Sequence, residues 1–190
     1  MAIIVRAVSA RDELVAELRE HALVIGEVTL TSGRTSSYLI DAKRAILRPA
    51  GFRALAELTA AEVRERGAEA VGGMTIGADP IACAALAGGA DVVAFFVRKE
   101  RKEHGLSRSI EGPPLDPGTR CLIVEDVVTS GGSTIRAIER VREDGLEVCG
   151  VMAILDRLAG GDAAIREAAG DAPYRALTTI DDVYPERPDR

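Results

Sequence analysis

Cys121-Leu-Ile-Val-Glu125-Asp126-Val-Val-Thr129-Ser130-Gly131-Gly132-Ser133-Thr134 decides how the chain is read. Apolar strand residues lead into two adjacent carboxylates. Three residues later, a glycine- and hydroxyl-rich turn opens a helix. Small residues let backbone N–H groups close on a phosphate, the helix start adds positive potential, and Thr129, Ser130, Ser133 and Thr134 supply hydroxyl donors. Like charges repel, so Glu125 and Asp126 cannot serve that phosphate. Beside it, they would accept hydrogen bonds from vicinal ribose hydroxyls. No lysine follows the glycines, which excludes a Walker A loop. The acids precede the glycines, whereas a dinucleotide fingerprint places its acid about 20 residues after them. The bland alternative is a strand–turn–helix with N-capping Ser and Thr; the paired acids at the strand end favour the functional reading.

The segments around this motif alternate. Apolar runs at Ala70–Met74, Asp91–Val97, Arg120–Val124 and Glu147–Leu155 read as strands, and Arg175–Ile180 as a further one. Between them, Pro49–Arg66, Asp79–Ala87 and Gly132–Arg142 carry helical patterns; Pro opens the first and Gly67 stops it. This alternation predicts an α/β domain with a mostly parallel sheet and helices on both faces. Upstream, Ala10–His21 reads as an amphipathic helix, and Gly26–Leu30 and Ser37–Asp41 as strands around the turn Ser32-Gly33-Arg34-Thr35. Arg98–Gly118 has no apolar periodicity, and a loop of that length within a compact domain is usually functional. There is no internal repeat and no second-domain boundary, so residues 1–190 read as one domain.

Composition narrows the function. The chain has 190 residues with a formal net charge of −6 and only three Phe, three Tyr and no Trp. That balance argues against a nucleic-acid binder, which needs a cationic face or aromatic stacking platforms. Cys83, Cys121 and Cys149 lie far apart with no CxxC pair. With only His21 and His104 besides, a structural zinc site is not expected, and all three cysteines read as buried, reduced filler. His21 reads as structural. No signal-peptide core is present. The longest apolar stretch, Pro80–Val97, is broken by Gly88, Gly89 and Asp91, so no membrane partner is expected and the cytoplasm follows as the expected location.

Leu122–Thr134 resembles the signature with which type I phosphoribosyltransferases bind phosphoribosyl diphosphate (PRPP). Phe96-Val97-Arg98-Lys99-Glu100-Arg101-Lys102-Glu103-His104-Gly105 resembles the hood loop of the orotate phosphoribosyltransferases within that group. Read alone, it is a solvated charge run; before a long loop in an acidic chain, it suits a clamp for a polyanion. Leu30–Asp41 resembles the family's Ser-Gly-x-x-Ser-x-x-Tyr segment over the base, and Leu155-Asp156-Arg157 its Asp-Arg pair. Without the family, these are a polar hairpin turn and a surface ion pair.

The resemblance implies the type I fold, with a small hood from about residues 1–45 and the C-terminal tail and a mobile catalytic loop at about 99–117. It implies transfer of the phosphoribosyl group of PRPP to orotate, giving orotidine 5′-monophosphate and pyrophosphate in pyrimidine biosynthesis, with Mg²⁺ as cofactor, held mainly by substrate oxygens and water. PRPP would be bound by Arg98, Lys99, Lys102, His104, Glu125, Asp126, Val127, Val128, Thr129, Ser130, Gly131, Gly132 and Ser133. Lys102, Asp126, Glu125 and His104 would be catalytic, and Thr129 and Arg157 would contact orotate, the arginine fork gripping its carboxylate. A homodimer with hoods reaching across to the partner's site is implied as well. The sequence departs from the family pattern at Thr31, where many bacterial members have lysine, and at Gly73–Pro80, which lacks a cation; the hood cations would then have to compensate. A phosphoribosyltransferase for another base and a non-catalytic PRPP-binding regulator stay open as alternatives.

Overall fold

The computed structural model describes residues 8–29, 35–100 and 109–190. Its centre is a six-stranded sheet in the order β5-β4-β3-β6-β7-β8, built from β3 (Ala70–Met74), β4 (Val93–Val97), β5 (Ile110–Glu111), β6 (Arg120–Val128), β7 (Glu147–Asp156) and β8 (Tyr174–Thr179). All neighbours run parallel except the β4–β5 pair. Chain alternation puts Leu122 and Val124 of β6 on one face and Cys121 and Ile123 on the other. Both faces are buried, which is why the strand is apolar from Cys121 to Val124.

One face packs under α1 (Ala10–Glu17), α3 (Pro49–Arg66) and α4 (Asp79–Ala87), through residues such as Leu14, Leu55 and Ala84. The other packs under α5 (Gly132–Glu143) and α6 (Gly161–Ala169), through Ile138, Val141 and Ile165. Pro49 sits in the first turn of α3, where a missing N–H costs nothing. Gly67 closes the helix at φ 57°, a conformation an L side chain resists. A separate antiparallel hairpin, β1 (Leu23–Thr29) with β2 (Thr35–Ile40), follows a π-helical turn at Leu18–Ala22 and leads into the short α2 (Lys43–Ile46).

The α/β reading and the parallel sheet hold. The end of β6 differs from the expectation: the strand does not stop at Val124, because Val127 and Val128 go on pairing with Leu155 and Asp156 of β7. Glu125 and Asp126 are therefore strand residues. Three helices were not anticipated: α2, α6 and α7 (Ile180–Val183), each short or rich in small residues. The long interval after Arg98 contains β5, whose two residues pair with Phe96 and Val97. Cys83 corrects the buried-filler reading, since it is exposed on α4. Cys121 and Cys149 are buried, and burial pushes the Cys121 thiol up to about 12, so it stays protonated at neutral pH. Among the described residues, no helix is long and apolar enough to cross a membrane.

Candidate active site

The carboxyl ends of the parallel strands are where open α/β sheets place ligands. Here, β6 delivers Glu125, Asp126 and the turn 129–131 to that edge, and β7 delivers Arg157. Glu125 is buried, and its Oε2 accepts the hydroxyl of Thr134 at 3.0 Å. Burial, reinforced by the neighbouring Asp126 charge, pushes its carboxyl up to about 8. The Glu125 carboxyl is thus largely protonated at neutral pH, while Asp126 beside it is paired with a cation: its Oδ2 lies 2.9 Å from Lys43 Nζ, and its Oδ1 accepts the Val127 N–H at 2.8 Å.

The turn after β6 is held by a close approach. Gly131 adopts φ 79°, and a Cβ on Gly161 at the start of α6 would fall 2.6 Å from the Thr129 carbonyl. With no side chain at either position, α6 seats the turn and leaves Thr129 and Ser130 exposed. A cavity of about 170 Å³ lies between Glu125, Thr129, Gly131 and Ser133. Its lining of small hydroxyl residues at the start of α5 has the donor chemistry of an anion cradle.

Thr129 also lines a second cavity of about 470 Å³, with Ser36, Tyr38, Arg157 and Asp189. The Arg157 guanidinium stands 4.9 Å above the Tyr38 ring, and Tyr38 Oη donates to Asp189 at 2.9 Å. Asp156 and Arg157 have different partners, so the pair is not a surface ion pair. Asp156 is buried, accepting from Tyr174 Oη at 2.8 Å and from the Leu158 N–H at 2.7 Å. The latter bond pins Leu158 at φ 55°, a strained conformation of the kind that concentrates at functional sites.

Arg98 and Lys99 leave β4 beside the loop after β3. They share a cavity of about 350 Å³ with Thr75, whose N–H donates to the Val97 carbonyl at 2.9 Å. Arg98 faces Glu111 at 3.3 Å, and the Lys99 carbonyl accepts from Arg140 at 2.8 Å. Lys102 and His104 lie outside the described residues, as does Thr31. The structure therefore brings Glu125, Asp126 and residues 127–133 together, joins Thr129 to Arg157, and places Arg98 and Lys99 at the neighbouring loop. Sequence reasoning missed Lys43 and Asp189. Asp41-Ala-Lys43 after a strand was a visible charge pair; nothing local marked Asp189.

A sheet edge with paired acids, a small-residue cradle and an adjoining arginine pocket defines the phosphoribosyltransferase class, and the family model described as "Phosphoribosyl transferase domain" matches residues 45–168. An orotate phosphoribosyltransferase of Corynebacterium glutamicum (strain R) is 45% identical over 177 residues, covering 93% of this chain and 95% of that one. The crystal structure of the Mycobacterium tuberculosis orotate phosphoribosyltransferase with Fe(III) dicitrate superposes with a TM-score of 0.82 at 39% identity, covering 92% of this chain and 99% of that one. The same enzyme in complex with PRPP gives a TM-score of 0.73 at 31% identity, covering 92% and 91%. The chain belongs to the orotate phosphoribosyltransferase family.

Proposed function

We propose that this chain transfers the phosphoribosyl group of PRPP to orotate, releasing orotidine 5′-monophosphate and pyrophosphate. The observation that carries the reading is Thr129, which lines both the small-residue cradle and the arginine pocket, so the two cavities adjoin as a sugar phosphate and its base would require. In this reading, residues 129–133 hold the 5′-phosphate through N–H groups and hydroxyls. Glu125 and Asp126 engage the ribose hydroxyls, and the protonated Glu125 carboxyl is able to donate. Arg157 grips the orotate carboxylate, which uracil and adenine lack. Arg98, Lys99, Lys102 and His104 neutralise the departing pyrophosphate, with Lys102 carrying the largest kinetic effect.

Among the described residues, no group of three or more His, Cys, Asp or Glu could hold a metal ion. The carboxylate oxygens of Asp126 suit a hard cation, whereas the buried, protonated Glu125 does not offer it a charged ligand. Mg²⁺ would accordingly ride on pyrophosphate and ribose oxygens and water, where it neutralises leaving-group charge. We further propose a homodimer in which the segment holding Lys102 and His104 completes the partner's site. Mixing inactive Lys102→Ala and Asp126→Asn chains tests this. Recovery of activity in mixed dimers supports it; mixed dimers without activity overturn it.

A panel of bases with PRPP and Mg²⁺ tests the reaction itself. Orotate alone should be converted. Conversion of uracil or a purine in its place would assign a different base, and PRPP binding without turnover on any base would leave a regulator.

A further inference from the structure

A side chain just after the hairpin reaches the strand bearing Asp126. Lys43 begins α2, immediately after β2. Its Nζ lies 2.9 Å from Asp41 Oδ1 and 2.9 Å from Asp126 Oδ2. Asp41 also accepts the backbone N–H of Lys43 at 3.2 Å, which fixes the start of the lysine stem. The lysine stands 83 positions from Asp126 in the chain, and the bridge is partly buried, with Asp126's side chain only 14% exposed. From the other side, the backbone of Gly77, in the loop after β3, closes on the same carboxylate; a Cβ there would fall 2.6 Å from Asp126 Cγ. Asp126 is therefore fixed from three directions: the Val127 N–H on Oδ1, Lys43 on Oδ2, and Gly77 against the carboxyl carbon. Next to it stands the Glu125 carboxyl, largely protonated at neutral pH, so Asp126 carries the negative charge that Lys43 balances.

We infer that Lys43, set by Asp41, is a positioning residue for PRPP use, holding the Asp126 carboxylate in the one orientation that meets the ribose. The inference rests on the proposed role of Asp126. Lys43 acts through that carboxylate, and Asp41 acts through Lys43. An ion pair held in a partly dry setting by a locally anchored lysine retains more of its strength than an exposed one. Losing its cation removes the anchor on Asp126 Oδ2 and loosens a carboxylate then held by the Val127 N–H on Oδ1 and the Gly77 backbone.

The test is steady-state kinetics on single variants at Lys43, Asp41 and Asp126 and on one double variant, with folding checked by circular dichroism. Lys43→Ala should raise the KM for PRPP and lower kcat/KM for PRPP at least tenfold, while the KM for orotate stays within about twofold. Lys43→Arg, which keeps the charge and reach, should recover most of the loss, and Asp41→Asn should fall between. Should Lys43→Ala lose the fold, Lys43→Met keeps the stem and carries the same comparison. The deciding measurement is the double variant. In an Asp126→Asn background, removing Lys43 should cost less than twofold, because its target is already gone. Additive losses would overturn the proposal, as would an unchanged kcat/KM in Lys43→Ala. If Asp126→Asn itself leaves PRPP use intact, the underlying reading of Asp126 fails instead.

Discussion

Asp189 places a carboxylate oxygen 3.8 Å from Arg157 Nη2, in the pocket where the orotate carboxylate is proposed to sit. The same carboxylate takes the Tyr38 hydroxyl, and Arg187 backs it at 3.4 Å. Tyr184 stacks edge-on against Tyr38 at 5.4 Å, and Pro188 and Asp189 line one wall of the base pocket. A base bearing a carboxylate must exchange with Asp189 to reach the arginine. Asp189→Ala should lower the KM for orotate, by at most about fivefold, since a pair half open to water is worth about 1 kcal/mol or less. Initial rates across an orotate series check this; a raised KM would make Asp189 part of the grip.

Arg157→Lys keeps the charge but loses the planar fork. It should raise the KM for orotate at least tenfold and leave the KM for PRPP within about twofold. Kinetics with each substrate varied in turn separate the two. Equal losses on both substrates would contradict a role confined to the base.

Glu125 carries a stability penalty that depends on pH. Its folded carboxyl stays protonated up to about 8, against an ordinary value of 4.5. Between those values the folded chain binds the extra proton, so this group makes stability fall as pH rises and adds no further loss above the upper one. Gln at 125 cannot ionise and escapes that loss. The Tm of Glu125→Gln should therefore gain on the parent between pH 5 and pH 8, by about 2–4 °C for each kcal/mol involved. Calorimetric scans at the two pH values check the trend, and a constant difference would contradict it.

Gly131 tests the seat of the turn. At φ 79°, Ala would be strained, and its Cβ would fall 2.9 Å from the Gly161 carbonyl and from Ile165. Gly131→Ala should lower stability by more than about 1 kcal/mol and raise the KM for PRPP. Gly170→Ala is the control: its φ is also positive, at 68°, but nothing lies within 4 Å of the added Cβ. It should lower Tm less and leave the KM for PRPP unchanged.

Much of this was legible in the sequence because the signals were local. Pro49 and Gly67 bounded α3 at the observed residues, since each is a backbone constraint in its own right. The apolar run from Cys121 and the glycines at 131 and 132 marked a strand and a helix start for the same reason. What escaped depended on partners distant in the chain. The end of β6 was set by pairing with β7, which residues 125–128 do not announce. Lys43 looked like one surface charge among many until the fold brought Asp126 to it. Asp189 sits in a polar segment whose meaning comes only from Tyr38, 151 positions away. The exposure of Cys83 was invisible because apolar neighbours along α4 do not say which face of the helix is covered.

The cradle at 129–133 and the pocket at Arg157 are proposed to act together on PRPP and orotate. Loss of orotate absorbance with PRPP and Mg²⁺, beside a control without PRPP and a Lys102→Ala variant, tests it most directly. PRPP-dependent loss that collapses in the variant is expected. Bound PRPP with no loss of orotate would contradict it.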